Sequence, residues 1–227
     1  MLEGRLFTLD HAGGQLSIHG HPLLVTEQPN SGLGTGLTVW DGSVVLAKFL
    51  EARFPTLAGK RVLELGSGPG LAGLAAVALG GKVTFTDLPY ALPNLRSVVA
   101  ANTHLVKAGA QPTVGELDWT SPASSSLPSL HEMDLILGSD VVWVEELIPP
   151  LVSTLAWLTS APSSPSIILA HQTRSTRGDE LLFKSLEEVG LKVKTVDRNM
   201  HHPEFNHPKV NLLTISRAAA SKGQGEL

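Results

Sequence analysis

Glu64-Leu-Gly66-Ser67-Gly68-Pro-Gly70 sets three glycines within five positions, between an apolar run and a stretch of small residues able to wind into a helix. Glycine adopts positive φ without steric penalty and lets a ligand lie directly on the backbone. The turn from a strand into a helix is where open α/β sheets hold their ligands. Asp87 closes the next apolar run, a position from which a carboxylate can accept both hydroxyls of a ribose. Together these residues predict a nucleoside cofactor. A structural reading stands beside it: the glycines also permit close packing of strand and helix, and Asp87 also fits as a cap for a helix starting near Pro89. Gly68-Pro-Gly70-Leu-Ala-Gly73 satisfies the dinucleotide pattern G-x-G-x-x-G. That triplet starts late after its strand, however, and Pro69 removes an amide that a pyrophosphate would use.

The elements that must position these residues follow a regular rhythm. RVLEL, KVTFT, a short piece near PTVGEL, MDLILGS and SIILAH read as strands, separated by helical stretches LAGLAAVAL, ALPNLRSVVAANTHL and VEELIPPLVSTLAWL. Such alternation predicts an α/β, Rossmann-like sheet of seven mostly parallel strands with helices on both faces. The end of the chain differs: helix GDELLFKSLEEVG, strand LKVKTV, a polar loop and strand KVNLLTIS. Two strands joined without a helix pair antiparallel, so the last strand is expected to run against the others. Ahead of the domain, LFTL, LSI and PLLV predict a small β-hairpin serving as a lid or edge and not as core, and 37–53 reads as an amphipathic helix stopped by Pro55.

Composition narrows the function. The chain has 227 residues, a formal net charge of -4 and no cysteine. Thiolate chemistry and disulfides are excluded, and no basic field exists for a nucleic acid backbone. The most apolar stretch, LAGLAAVALGG, is roughly half of the ~20 residues a membrane span needs. A soluble monomer without a metal, working in the cytoplasm or nucleus, is expected.

The E-L-G-x-G-x-G loop with an acid ending the second strand resembles the first two motifs of the seven-strand S-adenosylmethionine-dependent methyltransferases. Three further stretches are similar to the family-16 group of protein lysine methyltransferases, whose members modify chaperones and translation factors. They are Val39-Trp40-Asp41, Glu116-Leu117-Asp118-Trp119 and Asp134-Leu-Ile-Leu-Gly-Ser139-Asp140-Val-Val-Trp143. The resemblance covers residues 35–217, with 1–34 as a hairpin extension and 218–227 as a flexible tail. It implies that Glu64, Gly66, Ser67, Gly68 and Gly70 hold the methionine end of the cofactor, that Asp87 holds its ribose and that Asp118 and Trp119 hold its adenine. Trp40 and Ser139 are implied beside the cofactor, which leaves as S-adenosylhomocysteine. Asp140 is implied to orient a lysine amine of a protein substrate, with Trp143 as an aromatic wall where the group usually has Tyr.

Plainer readings exist for several of these residues. Trp40 also fits a core position on its helix, Trp119 a boundary position, and Asp140 the N-cap of a helix starting at Val144. Asn102 reads as a stabiliser of its own helix. His201, His202 and His207 read as a solvated loop, His171 has no evident partner, and Arg174 and Arg177 read as surface arginines within reach of an acidic patch on a substrate. Beside lysine methylation stand transfer to histidine or a small molecule, a non-catalytic cofactor-binding module, and a nicotinamide oxidoreductase.

Overall fold

A computed structural model describes residues 5–28, 35–160 and 164–217. The expected tail at 218–227 lies outside the described residues. Seven strands form one sheet: β3 (Arg61–Leu65), β4 (Lys82–Asp87), β5 (Thr113–Glu116), β6 (Leu135–Ser139), β7 (Ser166–His171), β8 (Leu191–Thr195) and β9 (Asn211–Arg217). A separate two-strand hairpin joins β1 (Ser17–Ile18) to β2 (His21–Pro22). The order across the large sheet is β5-β4-β3-β6-β7-β9-β8, and only β9 runs against its neighbours.

Residues along each central strand alternate between two cores, as a period of two requires. Val62, Leu135, Leu137, Ile168 and Ala170 face one core, with α1 (Asp41–Arg53), α2 (Leu71–Ala78) and α3 (Leu92–Ala101). Leu63, Leu65, Ile136, Ile167 and Leu169 face the other, with α4 (Ile148–Leu158) and α5 (Thr176–Glu188). Both faces are thus covered, which is why β3, β6 and β7 read as nearly continuous apolar runs.

The N-terminal hairpin departs from expectation. Leu16, Ile18, Leu23 and Val25 are fully buried in the first core, packed over α1, so this segment is structural core and not an edge. It also explains α1, whose residues Gly42 to Leu50 are all buried. A helix covered by the sheet on one side and by the hairpin segment on the other has no solvated face to keep polar. Helix α1 starts at Asp41, so Trp40 sits before it in extended backbone, φ -97 and ψ 151. Among the described residues no helix is long and apolar enough to cross a membrane.

Asn102, at the end of α3, fastens the hairpin segment to the domain. Its side chain accepts from Leu24 N at 2.9 Å and donates to Leu24 O at 2.7 Å and Val98 O at 2.8 Å. The Asn102 amide and the Leu24 backbone satisfy one another, and removing the side chain leaves the Leu24 N–H and C=O without these partners. Asn102→Ala is expected to lower unfolding stability by about 2–3 kcal/mol, read as a drop in the urea midpoint with an unchanged slope. An unchanged midpoint would show the hairpin segment to be held by its apolar contacts alone.

Candidate active site

The carboxyl ends of β3, β4 and β6 open onto a cavity of about 360 Å³. Its wall includes Trp40, Gly66, Ser67, Gly68, Asp87, Asp118, Trp119, Ser139, Asp140 and Trp143, so ten of the residues singled out by the sequence meet there. Gly66 and Gly68 have φ of 57 and 53. A Cβ on Gly66 would press on Val141 and Trp119, and one on Gly68 would lie 2.8 Å from Gly36 O. Asp87 ties the turn down: one carboxylate oxygen accepts Gly68 N at 2.7 Å and the other accepts Leu88 N at 2.7 Å. Burial pushes its carboxyl above the usual range and these two donors oppose the rise. Ser67 joins the strands below, accepting Thr86 N at 3.0 Å.

Two expected residues lie elsewhere. Gly70 begins α2 at φ 83, and a Cβ there would meet Leu95 and Phe85, so its bareness serves packing and not the cavity. Glu64 is buried behind the turn, where one oxygen accepts Gly73 N in the first turn of α2 at 2.9 Å and the other has no partner. Burial lifts its carboxyl to about 8. Glu64 therefore acts on the turn from beneath, as a neutral acid at physiological pH.

Asp118 shapes the loop after β5 by accepting Thr120 N at 2.8 Å, and Trp119 packs against the second core with an edge near Gly66. Asp140 stands at φ 52, a left-handed conformation that aspartate tolerates better than most residues. It does not cap the helix that follows, since a short 3₁₀ turn at Glu145–Leu147 intervenes before α4. It caps α1 from across the cavity instead, accepting Gly42 N at 2.9 Å. A Cβ on Gly42 would lie 2.3 Å from that oxygen, a constraint the sequence does not disclose. Burial raises the Asp140 carboxyl, opposed by Arg174 and by the Gly42 amide. Neighbouring Asp41 accepts Leu6 N and Phe7 N, pinning the N-terminal segment over the same helix end.

Other expectations need correction. Arg174 is no free surface residue: it pairs with Asp140 at 3.1 Å. His171 does have a partner, Asp179, at 2.8 Å. His201 is buried against the edge of Phe49, and Arg198 donates to His207 O, Pro208 O and Val210 O, so the histidine loop is braced. Thr35, Gly36, Thr38, Leu88 and Tyr90 also line the cavity. No motif marks them in the sequence, because they arrive by chain path alone.

The sequence matches the family described as Lysine methyltransferase over residues 18–189. The chain belongs to this lysine methyltransferase family. EEF1A lysine methyltransferase 3 of Mus musculus is 36% identical over 81% of this chain and 76% of its own length. Protein N-lysine methyltransferase METTL21A of Danio rerio is 36% identical over 98% and 94%. Magnesium protoporphyrin IX methyltransferase of Synechocystis PCC 6803, solved with bound SAM, shares the fold with a TM-score of 0.54 at 18% identity, over 83% of this chain and 89% of that one. The match in the lysine methyltransferase family begins at residue 18, inside the hairpin segment, consistent with that segment being core.

Glu64 yields a pH prediction. Its folded carboxyl titrates near 8 against an ordinary 4.5, so the folded state holds the proton more tightly than the unfolded one. Wild-type stability is unaffected by this group below about 4.5, falls as pH rises and loses the full amount above about 8. Glu64→Gln, which mimics the neutral acid, is expected to match wild type near pH 4.5 and to exceed it by on the order of 2–4 kcal/mol at pH 8. Denaturant titrations at both pH values measure the difference, and equal stability at pH 8 would refute a neutral Glu64.

Proposed function

We propose that this protein transfers a methyl group from S-adenosylmethionine to a lysine side chain of a protein substrate, of the translation-factor or chaperone type. The observation that carries this reading is a single cavity with two differently equipped ends. One end has the bare Gly66 and Gly68 turn with Asp87, and the other has Asp140 with half-exposed Trp143 at the rim.

The residues present fit such a cofactor. Side chains at Gly66 and Gly68 would have no room, so the wall there is backbone, and Asp87 and Trp119 stand on either side of the turn. Gly66, Ser67 and Gly68 would hold the methionine end, Asp87 the ribose, and Trp119 with Asp118 the adenine, with Trp40 and Ser139 alongside. When bound, the cofactor supplies a methyl already activated by a positively charged sulfur. The chain's task is then placement and exclusion of water. Asp140, nearly closed off from solvent, accepts an N–H of the incoming amine and so directs the nitrogen lone pair inward. Trp143 offers its ring to the lysine stem and cation as they enter. A Trp has no hydroxyl to contribute, so the carboxylate of Asp140 is the polar anchor at this end. In this reading the protein works as a monomer in the cytoplasm or nucleus.

The similarity to EEF1A lysine methyltransferase 3 makes EEF1A the first substrate to try, followed by a whole-cell extract. Labelled S-adenosylmethionine is expected to mark a discrete protein band that yields methyl-lysine on hydrolysis. Asp87→Ala is expected to weaken cofactor binding by about 10- to 100-fold in calorimetry. Asp140→Asn keeps an acceptor for Gly42 N and is expected to leave cofactor binding intact while lowering labelling by about 100-fold. Cofactor binding without label in any protein would defeat the lysine reading, and no binding at all would defeat the reading of the turn.

A further inference from the structure

The reaction above assigns no task to Arg174, a charged side chain on the cavity wall. Arg174, in the loop after β7, donates from Nη2 to Oδ1 of Asp140, in the loop after the adjacent strand β6, at 3.1 Å. Its guanidinium carbon lies 5.4 Å from the centre of the Trp40 ring, within the range of a cation–π contact. Trp40 before α1, Asp140 after β6 and Arg174 after β7 thus meet from three elements distant in sequence.

The loop that carries Arg174 is tied on both sides. Ahead of it, His171 is buried at the end of β7 and its Nε2 meets Asp179 Oδ1 at 2.8 Å, while Thr173 Oγ1 donates to the other Asp179 oxygen at 2.6 Å. Behind it, Ser175 caps α5 by accepting Gly178 N at 2.9 Å and donates to Glu145 at 3.1 Å. Asp179 stands in the first turn of α5, where a carboxylate is favoured by the free amides of the helix end. A surface arginine that merely found a nearby acid would need no such bracing. An arginine side chain forfeits rotamer freedom when held, and a fixed loop with a stacking surface reduces that loss.

We propose that Arg174, braced by His171, Thr173 and Asp179, is a positioning residue that holds the Asp140 carboxylate against the start of α1 so that its remaining lone pairs serve the acceptor amine. The proposal rests on Asp140 being the acceptor-directing group. The groups that face Asp140 are Arg174, the Gly42 amide and the like charge of Asp41. With Arg174 gone, burial and Asp41 both push the carboxyl toward its protonated form, and one amide donor alone holds its orientation. A protonated Asp140 presents a donor where the amine needs an acceptor.

The test follows Asp140 directly, by carbon-13 NMR of protein carrying labelled aspartate, with the Asp140 signal assigned by its loss in Asp140→Asn. In Arg174→Ala the titration midpoint of Asp140 is expected to rise by about 1–3 pH units and to return most of the way in Arg174→Lys. Asp179→Asn, which loosens the brace outside the cavity, is expected to give a smaller rise. Labelling of EEF1A or extract protein is expected to fall in Arg174→Ala and to recover as pH is raised through the Asp140 midpoint found by NMR, with cofactor affinity from calorimetry unchanged. An unmoved midpoint overturns the proposal, and so does a moved midpoint with an unchanged labelling rate and pH profile. A wild type that labels no protein defeats the methyl-transfer reading instead, and the midpoint then decides the Arg174–Asp140 unit by itself.

Discussion

The amide of Gly68 pointing into the Asp87 carboxylate is the bond on which the site is built. A left-handed turn after β3 exposes backbone donors that neither strand nor helix can satisfy, and they must be met by a neighbour or by a ligand. Asp87 reaches one of them because β4 pairs parallel with β3 in register, which brings the end of one strand beside the turn of the other. Its second oxygen secures the following residue, so the same carboxylate fixes both loops that bound one end of the cavity. The turn has no room for side chains on its open side and has the neutral acid of Glu64 beneath it.

The opposite end obeys the same rule with other residues. Helix α1 starts without a side-chain cap of its own, and Asp140 supplies one from the loop after β6. A helix end binds negative charge readily, since its first amides are unpaired and the peptide dipoles add there. Arg174 then balances the carboxylate, and Trp40 receives the arginine. The oxygens proposed to receive the acceptor amine are therefore the ones that cap the helix and meet the arginine. Loss of Asp140 removes the cap of α1 whatever else it does, which is why an amide replacement, which keeps an acceptor for Gly42 N, informs more than alanine.

Much of this was legible in the chain. Alternating apolar runs announced the sheet, the glycines announced the turn, and Asp87, Trp119 and Asp140 all reached the cavity wall. Three positions take places that the sequence did not disclose. Gly70 looked like its neighbours Gly66 and Gly68, yet its missing side chain makes room for Leu95 and Phe85. Glu64 looked like a ligand because of its motif, yet alternation along β3 points it away from the second core and behind the turn, toward α2. The hairpin segment looked peripheral because its strands are only two residues long, although Asn102 and the first core hold it firmly.

What the sequence determined alone are properties carried by near neighbours along the chain: strand period, the conformational freedom of glycine, the absence of thiols, and the motif that resembles a methyltransferase. What only the tertiary structure decided are the partners. Asp140 with Gly42 and Arg174, Asn102 with Leu24, His171 with Asp179, and β9 inserted between β7 and β8 all depend on which elements become neighbours. A carboxylate is the same letter whether it meets a helix amide, an arginine or an open cavity. Only the packing of two buried sheet faces, which fixes the order of the strands and hence where each loop emerges, tells these fates apart.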